Sequence, residues 1–196
     1  MENNNIPYKN MNFDFLDGNK FRNAVNNKQA AIFLNMPLPE ITWESVLQFV
    51  NDHPEKRTGK KKIVSEHAFF HDEAQIITNV NYLVREIHSR FYPSFKDPQV
   101  VTCQLFGSTK LENGQTIGRH EDRENNLFWQ GKGKSRWRLY KSEDAEQPFI
   151  DIILQENDLI YIPGGTYHYV EPITPRFGFA ILFGDDMNYE SNKELL

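Results

Sequence analysis

Between residues 100 and 183 the chain carries six short apolar runs, "VVTCQLF", "LFWQG", "SRWRLY", "FIDIIL", "DLIYIP" and "GFAILF", separated by clusters of Gly, Pro, Asn and Asp. Runs of four to seven residues bounded by turn formers have the length of strands and fall short of core helices. Their succession predicts an all-β sandwich or barrel rather than alternating βαβ units. The earlier part reads differently. "AAIFLNM" is a candidate strand, and "TWESVLQFVND" places Trp43, Val46, Leu47 and Val50 at helical spacing behind Thr42 as N-cap. "IITNVNYLVREIHSRF" puts Ile76, Ile77, Val80, Leu83, Val84, Ile87 and Phe91 on one helical face, with His88 an ordinary boundary residue beside it. Residues 53–75 are irregular and charged. The expected organisation is a helical N-terminal elaboration with entry strands over 1–95 and a β core over 96–196, forming one structural domain.

At 196 residues the chain is long enough to bury a core without disulfides. The Asn-rich start "MENNNIPYKN" carries no apolar signal segment and is expected to fray. The single cysteine, Cys103, lies in an apolar run, so a cytoplasmic setting is the expectation. No apolar stretch approaches the roughly 18 residues that span a bilayer, so no membrane association is expected. A net charge of −5 argues against a nucleic-acid partner. The basic stretches "EKRTGKKKI" (55–63) and "GKGKSRWR" (131–138) read as a solvated loop and the outer face of a strand, with a patch for an acidic partner as the other possibility. The oligomeric state is left open.

Just before the second core run stands "GRHED". On a strand, residues two apart share a face, so His120 and Asp122 can reach one point while Glu121 turns away. In "YIPGGTYHYV", Pro163, Gly164 and Gly165 make a turn into the strand that carries His168, and Tyr167 and Tyr169 alternate away from it. Two imidazoles and one carboxylate form the ligand set that leaves one side of a ferrous ion open. A rival pair, His67 and His71 in "EHAFFHDE", stands four apart and serves a metal only if that segment is helical.

The stretch "VVTCQLFGSTKLENGQTIGRHEDRENNLFWQGKGKSRWRLY", followed by "LQENDLIYIPGGTYHYV", resembles the JmjC and cupin-like Fe(II)- and 2-oxoglutarate-dependent oxygenases, in particular their ribosomal-oxygenase branch. Gly114 and "PGGTYH" also meet the broader cupin pattern, and "KQAAIFLNMPLPEITWESVLQFV" is similar to the segment that leads into that fold. The resemblance implies a mainly β fold, a double-stranded β-helix (the cupin or jelly-roll barrel) as the core over 96–196, with N-terminal helices packed outside. It implies Fe(II) held by His120, Asp122 and His168, and 2-oxoglutarate as cosubstrate. Phe128, Gln130, Gly133, Trp137 and Tyr140 match structural positions of its strands.

One departure from the family pattern bears on the cosubstrate. Relatives commonly hold its far carboxylate with a Lys or Arg two residues before the Trp, where this chain has Ser135. Lys134 and Arg136 fall on the opposite face by alternation and substitute only if a bulge intervenes. Arg176, eight residues after His168, is the leading candidate for the anchor, because a guanidinium forks onto a carboxylate with two hydrogen bonds. Gln104 and Thr102 on the adjoining strand can add neutral donors. The implied activity is hydroxylation of an unactivated C–H in a small molecule, amino acid or peptide side chain. The chain ends soon after its last strand without the extra modules of protein-modifying relatives, which tilts the expectation towards a small molecule or short peptide. The alternative is a metal-binding cupin that works without 2-oxoglutarate, as a small-molecule dioxygenase, isomerase or binding module.

Overall fold

In a computed structural model of the chain, residues 13–56, 68–92, 101–109 and 117–184 are described. The Asn-rich start, most of the basic stretch 55–63, His67 and Gly114 lie outside them.

Strand β9 (Arg176–Phe183) shows how one sequence serves two layers. Phe177, Phe179, Ile181 and Phe183 enter one buried cluster, while Ala180 and Leu182 join a second. Successive side chains on a strand point to opposite faces, so β9 lies between two apolar layers. β4 (Asn125–Lys132) divides in the same way, with Leu127 and Trp129 on one side and Phe128 on the other. β7 (Leu159–Ile162) sends Leu159 and Tyr161 one way and Ile160 and Ile162 the other. Burial on both faces is why these strands read as nearly continuous apolar runs in an antiparallel sheet.

These three strands are central in a six-stranded sheet completed by β1 (Ala31–Phe33), β2 (Ala68–His71) and β3 (Val101–Ser108), in the order β1-β7-β4-β9-β3-β2. A three-stranded sheet, β6 (Ile150–Leu154), β5 (Ser135–Tyr140) and β8 (Tyr167–Pro172), covers one face in the order β6-β5-β8. All strand pairings are antiparallel. Phe128, Trp137, Leu139, Leu154, Ile160 and Val170 fill the space between the sheets. Helices α1 (Asn19–Asn26), α2 (Trp43–Asp52) and α3 (Thr78–Phe91) cover the other face of the larger sheet. The architecture is the expected mainly β double-stranded β-helix with N-terminal helices outside.

The six apolar runs are β3, β4, β5, β6, β7 and β9, as read. Thr42 caps α2 as expected, its hydroxyl accepting from the Ser45 amide at 3.2 Å. The buried face of α2 differs from the reading. Val46 and Phe49 are buried while Leu47 is 46 % exposed, because the helix is rotated so that Phe49 meets His71 on β2. Ile76 is likewise exposed, lying in a single 3₁₀ turn ahead of α3. Two elements were not anticipated. α1 hides Phe21, Ala24 and Val25 among Asn and Lys, and β2 is four residues long inside a charged stretch.

Hairpin β4–β5 closes against the β8–β9 turn. Gly133 has φ +71°, and a Cβ there would lie 2.1 Å from the Pro175 carbonyl oxygen and 2.9 Å from Cβ of Arg176. Only glycine permits that approach. The basic stretch 131–138 resolves into an outer face: Arg136 forks onto Asp151 with two 2.7 Å bonds, and Arg138 donates to Glu171 at 2.9 Å. None of the helices in the described residues is long and apolar enough to cross a membrane.

The rotation of α2 is open to test. Phe49→Ala should cost about 3–5 kcal/mol in urea unfolding, whereas Leu47→Ser should stay within about 0.5 kcal/mol. Equal losses would contradict the packing described.

Candidate metal centre

His120 and His168 face each other across one antiparallel bridge. The His120 amide donates to the His168 carbonyl at 3.1 Å, and the His168 amide returns the bond at 2.7 Å. The next link is Gly165 N–H to the Asp122 carbonyl at 2.8 Å. The turn that makes this link possible has Thr166 N–H bonded to the Pro163 carbonyl and Gly165 at φ +77°, a conformation glycine adopts without steric cost.

His120 and Asp122 were expected on a continuous strand. The structure instead has a single bridge at His120 and irregular backbone at Asp122, with β4 starting at Asn125. The two backbone links do the work of a longer ladder. They bring Nε2 of His120 to 3.8 Å from Oδ1 of Asp122, and Nε2 of His168 to 3.7 Å from Oδ2. The three ligand atoms lie within 4.8 Å of one another, and among the described residues this is the only group of three or more such side chains so placed.

Each imidazole is held by its other nitrogen. Nδ1 of His120 lies 2.8 Å from the Gly118 carbonyl oxygen and Nδ1 of His168 lies 3.0 Å from that of Thr166. A carbonyl only accepts, so Nδ1 carries the proton and Nε2 keeps its lone pair towards the shared point. Burial pushes the His168 pKa below the ordinary imidazole value and nearby His120 adds to this, against Asp122 and the Thr166 carbonyl. Trp137 stacks on the His168 ring at 5.8 Å and 22°. Asn126, which the sequence did not single out, donates to Oδ2 of Asp122 at 3.0 Å. Its only signal is that it shares the inner face of β4 with Phe128.

The three groups line a cavity together with Gln104, Phe106, Phe128, Trp137 and Arg176. Arg176 is the exceptional member. It is 1 % exposed, and its Nε and Nη1 have no hydrogen-bond partner. Burial lowers its pKa to about 10. Holding a cation in such a place with no acidic partner among the described residues costs several kcal/mol.

The other candidates for the cosubstrate are dispersed. Gln104 lines the cavity and donates through Nε2 to Asp72 at 3.0 Å. Thr102 and Lys134 are exposed. Ser135 is buried, but its hydroxyl donates to Oε1 of Gln130 and accepts from Nε1 of Trp137 at 3.0 Å. Thr102, Lys134 and Ser135 are absent from the cavity wall. A bulge does occur at Gly131, between Gln130 and Lys132, but β5 keeps its alternation: Ser135 and Trp137 are buried while Arg136 and Arg138 turn outward. His71 of the rival pair sits on strand β2, buried between the rings of Phe49 and Phe69, so the helical spacing that pair required does not arise.

Comparison with known proteins agrees with this architecture. The family profile described as JmjC domain matches residues 83–190, more than half of the chain. No curated protein matches the sequence. Among solved structures, YcfD, a ribosomal oxygenase from Escherichia coli, superposes with a TM-score of 0.61 at 16 % identity, over 94 % of this chain and 54 % of that one. YcfD in complex with cobalt and 2-oxoglutarate gives 0.58 at 15 % identity, over 92 % and 53 %. Its complex with cobalt and succinic acid gives 0.56 at 16 %, over 87 % and 50 %. This chain therefore spans about half the length of those proteins, and at such identities the likeness is one of fold. From α3 through the last strand of the barrel, the matched profile and the architecture coincide, and the chain belongs to the JmjC domain family.

Proposed function

We propose that this protein is a non-haem Fe(II)- and 2-oxoglutarate-dependent oxygenase that hydroxylates an unactivated C–H of a small molecule, amino acid or polypeptide side chain. The observation that carries the proposal is the pairing, in one cavity, of a His-Asp-His set with a buried guanidinium that has no counter-charge among the described residues. Two neutral imidazoles and a carboxylate fit Fe(II), and Arg176 fits the far carboxylate of the cosubstrate. Bound Fe(II) supplies the chemistry by which oxygen and 2-oxoglutarate are converted, with C–H hydroxylation, to succinate and carbon dioxide.

The residues of the chain hold, orient and exclude. His120, Asp122 and His168 would hold the metal where their ligand atoms converge on the cavity wall. The Nδ1 bonds to Gly118 and Thr166 fix the orientation of both imidazole rings. Asn126 orients the Asp122 carboxylate. Phe106, Phe128, Trp137 and Val170 give the pocket apolar walls, and a low-dielectric lining strengthens the attraction between Arg176 and an anion. No protein nucleophile is required, in keeping with burial of Cys103, which pushes its thiol pKa up. A cytoplasmic setting completes the reading, supported by that reduced, buried thiol. The alternative, a cupin working without 2-oxoglutarate, leaves Arg176 uncompensated.

Anaerobic addition of 2-oxoglutarate to the Fe(II)-loaded protein should produce a weak visible charge-transfer band. Iron bound with no band would favour the cupin alternative. Arg176→Gln should raise the dissociation constant for 2-oxoglutarate by about one to two orders of magnitude, the worth of about 1.5–3 kcal/mol for bonds to a charged group, with Fe(II) affinity kept. Titration calorimetry under anaerobic conditions separates the two, and an unchanged 2-oxoglutarate affinity would clear Arg176 of the role.

A further inference from the structure

β3 runs beside β9 over all eight residues from Val101 to Ser108. On its other side β2 covers only half of it, from Ala68↔Ser108 to His71↔Leu105. Each residue of an antiparallel strand turns its N–H and C=O to the same side, alternately along the chain. Two of the four residues Val101–Gln104 therefore turn a donor and an acceptor towards the side β2 leaves open, where no backbone group among the described residues bonds them. The ladder stops because the chain is bent off the sheet. Glu73 has φ +57°, a left-handed conformation that a non-glycine residue adopts at a cost, and the backbone passes into the turn before α3.

Beside this open edge lies a groove roomier than the metal cavity. Asp72 and Glu73 stand on one side, Arg85, His88 and Ser89 of α3 on another, and β3 forms its floor. Gln104 lines both spaces. Thr102, exposed and two residues away, points to the same side of the strand.

Unpaired main-chain donors and acceptors at strand spacing are matched by the main chain of another extended polypeptide. The walls carry charges of both signs, which suits a peptide better than an apolar ligand. We propose that this groove seats an extended stretch of a polypeptide substrate, which adds a strand to the open edge of β3 and passes one side chain across Gln104 into the metal cavity. The last step rests on the oxygenase reading; the docking does not.

Short random peptides displayed on phage are panned against the full chain loaded with Co(II) and 2-oxoglutarate, and selected peptides are synthesised with and without N-methyl groups at alternate residues. The expected result is binding that slows hydrogen exchange at Val101–Gln104 and weakens at least about tenfold on N-methylation. Arg85→Trp and Ser89→Trp, which fill the groove from exposed positions of α3, should weaken peptide binding similarly while Co(II) and 2-oxoglutarate still bind. The proposal is overturned if no peptide is selected above background, if both variants bind peptide as tightly as the parent chain, or if protection falls elsewhere. Protection at β3 with no cosubstrate binding would sink the oxygenase reading and keep the docking site. Cosubstrate binding without protection would do the reverse.

Discussion

Burying a cation between two packed sheets is costly, and this fold places Arg176 there with part of its guanidinium unpartnered among the described residues. The placement follows from the parity of one strand. β9 gives Phe177, Phe179, Ile181 and Phe183 to the helix-covered core, so Arg176, Gly178, Ala180 and Leu182 must face the barrel. Rotating the strand to expose Arg176 would expose four large apolar side chains, at about 1.5–3 kcal/mol each. The apolar core therefore holds the charge inside. The site and the fold are alternate residues of the same element.

The His-Asp-His group is placed with similar economy. Two backbone bonds between His120 and His168, and one between Gly165 and Asp122, bring three side chains from two segments to one point. Both imidazoles are oriented by carbonyls two residues before them in the chain, Gly118 for His120 and Thr166 for His168. Trp137 links this centre to a buried network. Its ring stacks on His168, its N–H reaches Ser135, and Ser135 reaches Gln130, whose amide donates to the carbonyls of Lys132 and Phe177. Phe177 is the neighbour of Arg176, so one set of hydrogen bonds braces β5, β4 and β9, and the Trp137 ring carries that brace to His168 by stacking. A serine at position 135 of β5 completes that brace, and the buried cation stands on β9 of the facing sheet instead.

The barrel was legible because its strands are short, apolar and separated by turn formers, and because two faces need burying. The His-Asp-His set was legible because one turn motif and one two-residue spacing carry it. What escaped was set by tertiary contact. β2 has only "AFFH" to declare itself and takes its register from β3. The orientation of α2 depends on what Phe49 meets, which helical periodicity alone does not contain. Asp122 leaves the expected strand because a carbonyl bond to Gly165 holds it from a distant turn. Asn126 and the Gln104–Asp72 pair belong to the same class, being defined by partners that sequence spacing does not reveal.

The central claim is that one cavity holds a metal on three protein ligands and a carboxylate on Arg176. A crystal structure of the full chain grown with Co(II) and 2-oxoglutarate, with anomalous data at the cobalt edge, tests it most directly. The account predicts one anomalous peak bounded by His120, Asp122 and His168, and a cosubstrate whose far carboxylate is forked by Arg176. Cobalt at any other side chains, or a carboxylate held elsewhere while Arg176 stays unpaired, would contradict it.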